Sequence, residues 1–206
     1  SQDNIDRWKL NENEHLELLY THYDNGEGKA VIDLQQFPKA AEYLNAHRKR
    51  LEGRTYITKS KRNWFEIWVP QNPASWKLPK LVFPDISLEP RFYFDQSGSI
   101  VNGNCYWISA KDKKEEELLL LIQGVANSSV MSRYHDLLFN NKLYSGRRRY
   151  FSQYVENYPI PDPGLDVSGK IVDLVKELYS EKADAQKNYE LLNELVEEAF
   201  GLRDAN

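Results

Sequence analysis

The chain is poor in the residues and spacings that mark catalytic and metal-binding proteins. It has one cysteine, Cys105, in 206 residues, which excludes a disulfide framework and a zinc site built from several cysteines. Its four histidines show neither the HxH nor the HExxH spacing of a metal site. Gly98, Gly103 and Gly124 are isolated, so there is no glycine-rich phosphate loop. We therefore expect Cys105 to be a core thiol, and we expect no metal, no cofactor and no enzyme active site in this chain alone.

Long hydrophobic runs are also missing. The longest aliphatic run is 118–122, and no apolar segment follows the N-terminus. These absences argue against a signal peptide and a membrane span, and the expected location is the cytoplasm. Because the chain begins with Ser1 and not with Met, we expect it to be a piece of a longer protein.

Charge is abundant but unevenly distributed. The net charge is −4, from 27 basic and 31 acidic residues. Residues 39–62 nevertheless hold eight Lys and Arg against only Glu42 and Glu52, while 166–206 hold ten acids and five bases. A basic zone on an acidic protein is informative, because local charge decides which ligands are attracted.

The hydrophobic pattern predicts an α+β fold. We expect a hairpin within 5–36 around the turn at 25–28, and then a helix that begins at Pro38 and stops at Gly53. The β-rich runs that follow are 56–58, 64–69, 80–83, 91–94 and 104–108. They predict a twisted, mainly antiparallel sheet flanked by helices.

Helices are predicted from residue 113 onward, with further helical or irregular structure up to residue 158. A helix is expected over 113–130, with Leu118, Leu121, Ile122, Val125 and Ala126 buried. The proline-rich segment 159–164 cannot continue a helix and indicates a boundary. We therefore divide the chain into a domain at 1–161 and a C-terminal helical extension at 162–206. Two apolar stripes in the extension leave open whether it forms one long helix or a pair.

Two basic segments are candidates for binding an anionic polymer. On a helical wheel Tyr43, His47, Arg50 and Arg54 share one stripe that contains no acid, although a merely solvated basic face is an equal alternative. A turn at 59–63 adds three cations and an amide, and Lys142 precedes a second cluster at 144–149. Lys and Arg bind phosphates, whereas Arg and Asn can also read base edges.

A metal-dependent nuclease is one alternative. Asp85 after Pro84, together with Asp112 and Lys114, has the order of a short PD…DxK pattern, in which two carboxylates and a lysine surround a metal ion. Such short patterns occur often by chance. A protein-interaction module with a solvated basic face and acidic C-terminal helices is the other alternative.

The order of motifs resembles the TaqI-like C-terminal specificity domain of adenine-specific DNA methyltransferases from type II restriction–modification systems. The resemblance extends from about residue 5 to 202, and no single motif in it is diagnostic. At the C-terminus, Phe200-Gly201-Leu202 stands where the family usually has a YGL-type triplet. The matching stretches are 37–44 (FPKAAEYL), 64–67 (WFEI), 79–86 (PKLVFPDI), 98–108 ending in NCYWI, 120–129 (LLIQGVANSS), 154–161 (YVENYPIP) and 192–202.

The resemblance implies a recognition module without its catalytic half. The NPPY-type motif and the glycine-rich S-adenosylmethionine site of the methyltransferase half do not occur here. The expected partners are double-stranded DNA and the catalytic domain of the same parent chain, where S-adenosylmethionine would bind. Whether the parent is also fused to a restriction endonuclease stays open. The residues expected to contact DNA, by their chemistry alone, are His47, Arg48, Lys49, Arg50, Arg54, Lys59, Lys61, Arg62, Asn63, Lys80, Tyr144, Arg147, Arg148 and Arg149.

Overall fold

The structure is a computed structural model that describes residues 1–11, 17–101, 103–139, 142–180 and 184–202. The chain forms two compact units. The small unit comprises residues 15–77, and the large unit comprises 1–14 and 78–206. Both helices and antiparallel strands are present, which confirms the predicted α+β class.

The small unit begins with the predicted hairpin. Strands β1 (His22–Asp24) and β2 (Lys29–Val31) pair antiparallel, with His22 opposite Val31. Gly26 has φ +86° in the connecting turn, a backbone conformation that a residue without Cβ adopts without steric penalty. The Asp24 side chain accepts a hydrogen bond from the Gly26 N–H at 2.8 Å, which closes the turn.

The predicted helix over 38–53 is two helices. Helix α1 spans Pro38–Ala46 and α2 spans Arg48–Glu52, with Gly53 at the C-terminal cap. The predicted start and stop are confirmed, but continuity across His47 is wrong. The N–H of His47 bonds the Leu44 carbonyl three residues back, at 3.0 Å, and this tighter turn ends α1.

Two predicted strands in the small unit are wrong. Residues Thr55–Thr58 form the short helix α3, in which Ile57 is fully buried. Burial of that one side chain outweighs the β propensity of the segment. Residues 64–69 form no strand, because Arg62 binds the carbonyls of Ile67 and Trp68 that a strand would offer to a neighbour.

A three-stranded antiparallel sheet is the centre of the large unit. Strand β3 (Lys80–Pro84) is buried along its whole length. A short β4 (Ile86–Ser87) follows it. Strand β5 (Tyr93–Asp95) pairs with one edge of β3, and β6 (Cys105–Ser109) pairs with the other.

Among the described residues, five α-helices complete the large unit. They are α4 (Lys113–Asn127), α5 (Ser129–Phe139), α6 (Ser152–Val155), α7 (Asp166–Leu178) and α8 (Ala185–Ala199). Before α6, strand β7 (Arg148–Arg149) pairs antiparallel with β4, with Ser87 opposite Arg148 and Ile86 opposite Arg149.

Helix α4 is buried on more than one side. The predicted burial of Leu121, Val125 and Ala126 is confirmed, but Leu118 is exposed and Leu119 and Leu120 are buried instead. The apolar surface is wider than a single stripe because α4 shares one core with the sheet and with α7 and α8. A prediction based on a single apolar stripe therefore assigns some buried and exposed residues of α4 incorrectly.

The segment after the prolines is a pair of helices, which settles the alternative left open by the sequence. The predicted burial of Ile171, Leu174, Val175 and Leu178 on α7 is confirmed. On α8, Leu192 and Val196 are fully buried, whereas Leu191 is exposed. Division of the chain at residue 161 stays a prediction.

Cys105 is a core residue of β6, as predicted. Its side chain is 4% exposed, and burial raises the pKa of its thiol to about 11. The thiolate is therefore scarce at neutral pH. None of the described helices is long and apolar enough to cross a membrane.

Candidate nucleic-acid interface

The predicted stripe on the small unit lines a groove. Tyr43, His47, Arg50 and Arg54 border a depression of about 530 Å³ whose remaining wall is formed by Leu44 and Leu51. The ring centroids of Tyr43 and His47 lie 4.9 Å apart. Although α1 and α2 are separated by a break, these four side chains lie on one surface.

Two arginines of this region have structural partners. Arg48 pairs with Glu52 at 2.8 Å, and its guanidinium lies 5.0 Å from the ring centroid of Trp64. Arg54 donates to the carbonyls of Leu51 at 3.1 Å and Trp64 at 2.7 Å. Arg54 therefore fastens the end of α2 to the following loop.

Two candidate residues in the turn at 59–63 form hydrogen bonds within the loop. Arg62 donates to the carbonyls of Ile67 and Trp68 and stacks over the Trp68 ring at 5.0 Å. Glu66 accepts hydrogen bonds from the side chain of Asn63 at 2.9 Å and from its backbone N–H at 2.7 Å. Arg62 and Asn63 thus stabilise the loop. The sequence did not indicate this structural role for Arg62.

Glu66 is buried, and its nearest basic neighbour is His22. The Nε2 atom of His22 lies 3.7 Å from a Glu66 oxygen, and both side chains are less than 10% exposed. Burial lowers the pKa of the His22 imidazole, although the Glu66 carboxylate opposes this shift. Sequence reasoning missed Glu66, although its position three residues after Asn63 is the spacing of a capping interaction.

Four candidate cations of the small unit are exposed to solvent. Lys49, Arg50, Lys59 and Lys61 are exposed, and none of them has an ion-pair partner in the described part of the chain. Lys61 has φ +60°, a left-handed conformation that is unfavourable for a residue with a Cβ. These four side chains are available for an anionic ligand.

Lys80 lies in a different environment from the other candidates. It sits in the central strand β3, is 2% exposed, and pairs with Asp95 at 2.9 Å. Because the Lys80 ammonium and the Asp95 carboxylate are buried together, this ion pair is part of the core of the large unit. Lys80 is therefore not among the surface cations.

The second basic cluster lies in the large unit, and most of its charges are paired. Arg148 binds Asp136 through two hydrogen bonds, at 2.6 and 2.8 Å, and Lys142 binds the same carboxylate at 3.1 Å. Arg149 pairs with Asp85 at 3.1 Å and lies 4.3 Å from the ring centroid of Phe151. Asp85, a candidate metal ligand in the nuclease alternative, is thus an ion-pair partner.

The tip of this cluster is different. Tyr144 is 97% exposed, and Arg147 is exposed with no side-chain partner among the described residues. Ser145 has φ +63° and Gly146 has φ +72°. Within the described residues, Ser145 and Lys61 are the two non-glycine positions with a left-handed backbone, and each lies in one of the two predicted segments.

Asp136 is the residue of this site that sequence reasoning missed. It lies on α5, twelve positions before Arg148, in a segment predicted only as helical or irregular. A lone acid near a run of arginines gives little sequence signal, because the pairing depends on how α5 and β7 are placed in the fold. Among the described residues, no group of three or more His, Cys, Asp or Glu side chains could hold a metal ion.

The fold and these two surfaces define the chain as an α+β domain that presents basic and aromatic side chains on short turns. It belongs to the family described as the TaqI-like C-terminal specificity domain, whose family model matches residues 4–160. This confirms the resemblance seen in the sequence.

The chain is similar to several type II methyltransferases. Type II methyltransferase M.BanIII of Aneurinibacillus aneurinilyticus is 44% identical over 206 residues, which cover 98% of this chain and 36% of the relative. M.PaeR7I of Pseudomonas aeruginosa is 28% identical over 178 residues, covering 85% of this chain and 29% of the relative. M.XhoI of Xanthomonas vasicola is 28% identical over 136 residues, covering 66% of this chain and 24% of the relative. The chain therefore spans about a quarter to a third of the length of these relatives.

Proposed function

We propose that this chain recognises a specific sequence of double-stranded DNA on behalf of a type II methyltransferase. The observation that carries the proposal is the match of residues 4–160 to a specificity-domain family. The relatives named as type II methyltransferases support the same assignment, since each contains a stretch similar to this chain.

The surface of the small unit supports phosphate binding. Lys49, Arg50, Lys59 and Lys61 are exposed and carry charge that no described carboxylate neutralises. A cation that neutralises a DNA phosphate releases condensed counterions, and this release drives binding independently of sequence. We assign these four residues to phosphate contacts, with Tyr43 and His47 beside Arg50 in the groove.

The methyl transfer itself would belong to another part of the parent protein. The chain covers only about a third of M.BanIII, so the relative has room for a separate catalytic part. We propose that this part binds S-adenosylmethionine and methylates adenine at N6, and that both parts act together in the cytoplasm. No residue of the present chain is assigned to the cofactor.

A separate recognition module has a physical purpose in such an enzyme. An enzyme that modifies a base in duplex DNA must take the base out of the stack, and this step requires unstacking energy. Contacts to the flanking duplex from a second domain would supply binding energy for that step. They would also decide where along the DNA it occurs.

The proposal is tested by fluorescence anisotropy of the chain with a labelled random-sequence duplex. Binding should weaken linearly in log salt between about 50 and 200 mM, with a slope of about −3 to −4 if the four cations each contact one phosphate. A slope near zero, or no binding at the lowest salt, would refute the assignment. A neutral polymer of similar length controls for nonspecific adhesion.

A further inference from the structure

We infer that Tyr144 and Arg147 are the residues through which the large unit reads base sequence, with Arg147 recognising a guanine. This inference rests on the proposed function, because it assigns base reading within a DNA-binding chain. It separates these two residues from the other candidates that have suitable chemistry for base edges.

Side-chain contacts occupy four of the other candidates, two in each unit. Arg62 and Asn63 in the small unit are engaged with backbone carbonyls and with Glu66. In the large unit, Arg148 donates from Nε and Nη2 to Asp136 and from Nη1 to the Leu88 carbonyl. Arg149 is paired with Asp85. Arg148 therefore has few donors left for a base, and Arg149 is held beside Asp85.

Tyr144 and Arg147 are presented at the tip of a closed loop. The N–H of Leu143 donates to the carbonyl of Arg147 at 2.7 Å, so the loop ends are joined. The left-handed backbone at Ser145 and Gly146 reverses the chain between the two side chains. Tyr144 is 97% exposed, which is a large aromatic surface without a partner among the residues that the structure describes.

The base of the loop is anchored on two elements. Arg148 binds Asp136 on α5 and the Leu88 carbonyl after β4, and β7 pairs with β4 through the two arginines that follow Arg147. A contact that reads a base must be held within a fraction of an ångström of its productive position. The paired arginines therefore act as positioning residues for the unpaired one.

The surroundings of Arg147 differ from those of the phosphate-binding candidates. Arg147 lines a depression of about 360 Å³ together with two acids, Asp3 and Glu89, a second arginine, Arg91, and the apolar residues Ile86 and Leu88. Glu89 is paired with Arg7 at 2.6 Å. The charges around Arg147 are therefore mixed, whereas the four exposed cations assigned to phosphates form no ion pair with a described carboxylate. The planar fork of arginine matches guanine O6 and N7 in the major groove, and an aromatic ring can pack on a thymine methyl group beside it.

The test is a selection of binding sites from a random duplex pool with the 206-residue chain. Wild type should select a defined site that contains a guanine. Arg147→Gln should lose discrimination at that guanine by about tenfold or more, because glutamine pairs with adenine instead. Tyr144→Ser should relax the preference at an adjacent position. Both residues are exposed, so equal thermal midpoints should verify that the variants are folded.

Arg50→Gln is the matched control, since it also removes one exposed arginine. It should weaken binding to all duplexes uniformly and leave the selected site unchanged, as expected for a phosphate contact. If Arg147→Gln behaves like Arg50→Gln, Arg147 is a phosphate contact and the inference is overturned while the proposed function stands. If wild type binds DNA but selects no site, or does not bind, the proposed function fails and the inference fails with it.

Discussion

Arg148 and Asp136 are joined by two parallel hydrogen bonds, Nε to Oδ1 at 2.6 Å and Nη2 to Oδ2 at 2.8 Å. Both side chains are only about one-fifth exposed, at 18% and 21%. A run of three arginines usually indicates a solvated or nucleic-acid-binding patch, and here one of the three is a structural clamp. Bidentate arginine–carboxylate pairs of this kind combine energy with fixed geometry.

Replacement of Asp136 by asparagine should destabilise the large unit at neutral pH by about 1–3 kcal/mol, because an amide turns a donor toward the guanidinium. The hydrogen bonds from Arg148 lower the pKa of Asp136 to about 2. Since the unfolded value is about 4, the stabilisation is present above pH 4 and is lost as the pH falls toward 2. Urea unfolding at pH 7 and pH 3 should therefore show a smaller difference between Asp136→Asn and wild type at pH 3.

The control for this experiment is Asp173→Asn. The Asp173 side chain is 79% exposed and lies 3.8 Å from Lys176 on the same helix. Its loss should change the unfolding free energy by less than about 0.5 kcal/mol at both pH values. An Asp136→Asn effect that is the same at pH 7 and pH 3 would contradict the ion-pair explanation.

The double variant Lys49→Gln, Arg50→Gln should reduce the salt dependence of DNA binding. If each side chain contacts one phosphate, the slope of log affinity against log salt becomes less negative by about 2. The matched control is Lys142→Gln, because that lysine is held by Asp136 and is not assigned to DNA. Equal slopes for wild type and the double variant would remove Lys49 and Arg50 from the proposed interface.

Arg54→Lys should destabilise the small unit while leaving its net charge unchanged. The guanidinium bridges the Leu51 and Trp64 carbonyls, and an ammonium cannot reach both. The expected loss is about 1–3 kcal/mol. Three of the five tryptophans lie in the small unit, so tryptophan fluorescence during denaturation reports mainly on this unit.

Arg50→Lys provides the comparison, since Arg50 is exposed on the same groove without an ion-pair partner among the described residues. It should change stability by less than about 0.5 kcal/mol. If Arg54→Lys is equally silent, the two carbonyls are satisfied by water and Arg54 is not a structural bridge.

Gly124→Ala should destabilise the junction of α4 with α7 and α8. A Cβ at this position would lie 2.7 Å from Ile171 Cγ2, 3.0 Å from Val175 Cγ2 and 3.4 Å from Leu192 Cδ1. Overpacking of about 1–3 kcal/mol exceeds the gain of up to about 1 kcal/mol in helix propensity. Thermal unfolding should show a lower midpoint than wild type.

Gly169→Ala is the matched substitution in α7, where a Cβ would meet no atom within 4 Å. It should raise stability by up to about 1 kcal/mol, because alanine is the better helix former and no neighbour has to move. We expect the two alanine substitutions to change the free energy of unfolding in opposite directions. Two stabilising substitutions would mean that the helices separate easily at Gly124.

Local chemistry in the sequence was sufficient for several elements of the fold. Pro38 and Gly53 bound the helical segment because each restricts or permits backbone conformations by itself. The buried face of α7 follows from the spacing of its apolar residues alone, and Cys105 was expected in the core. The α+β class and the family could also be assigned from such patterns.

Segments with mixed signals were decided by packing. Thr55–Thr58 has β-forming residues but is helical, since the burial of Ile57 outweighs local preference. Residues 64–69 lose their backbone acceptors to Arg62, a contact that no propensity describes. Leu118 was predicted to be buried but is exposed. The sheet and two helices pack against α4, and a single periodic stripe does not describe the surface that they cover.

By itself, the sequence determined which residues carry charge, which faces are apolar, and that Arg and Lys concentrate in two segments. Only the tertiary structure decided which of these cations are available. Lys80 is buried with Asp95, Arg148 is held by Asp136, and Arg149 is held by Asp85, 64 residues away in the chain. Helical periodicity and caps act within a few residues, whereas an ion pair depends on which distant side chain the fold brings within hydrogen-bonding distance.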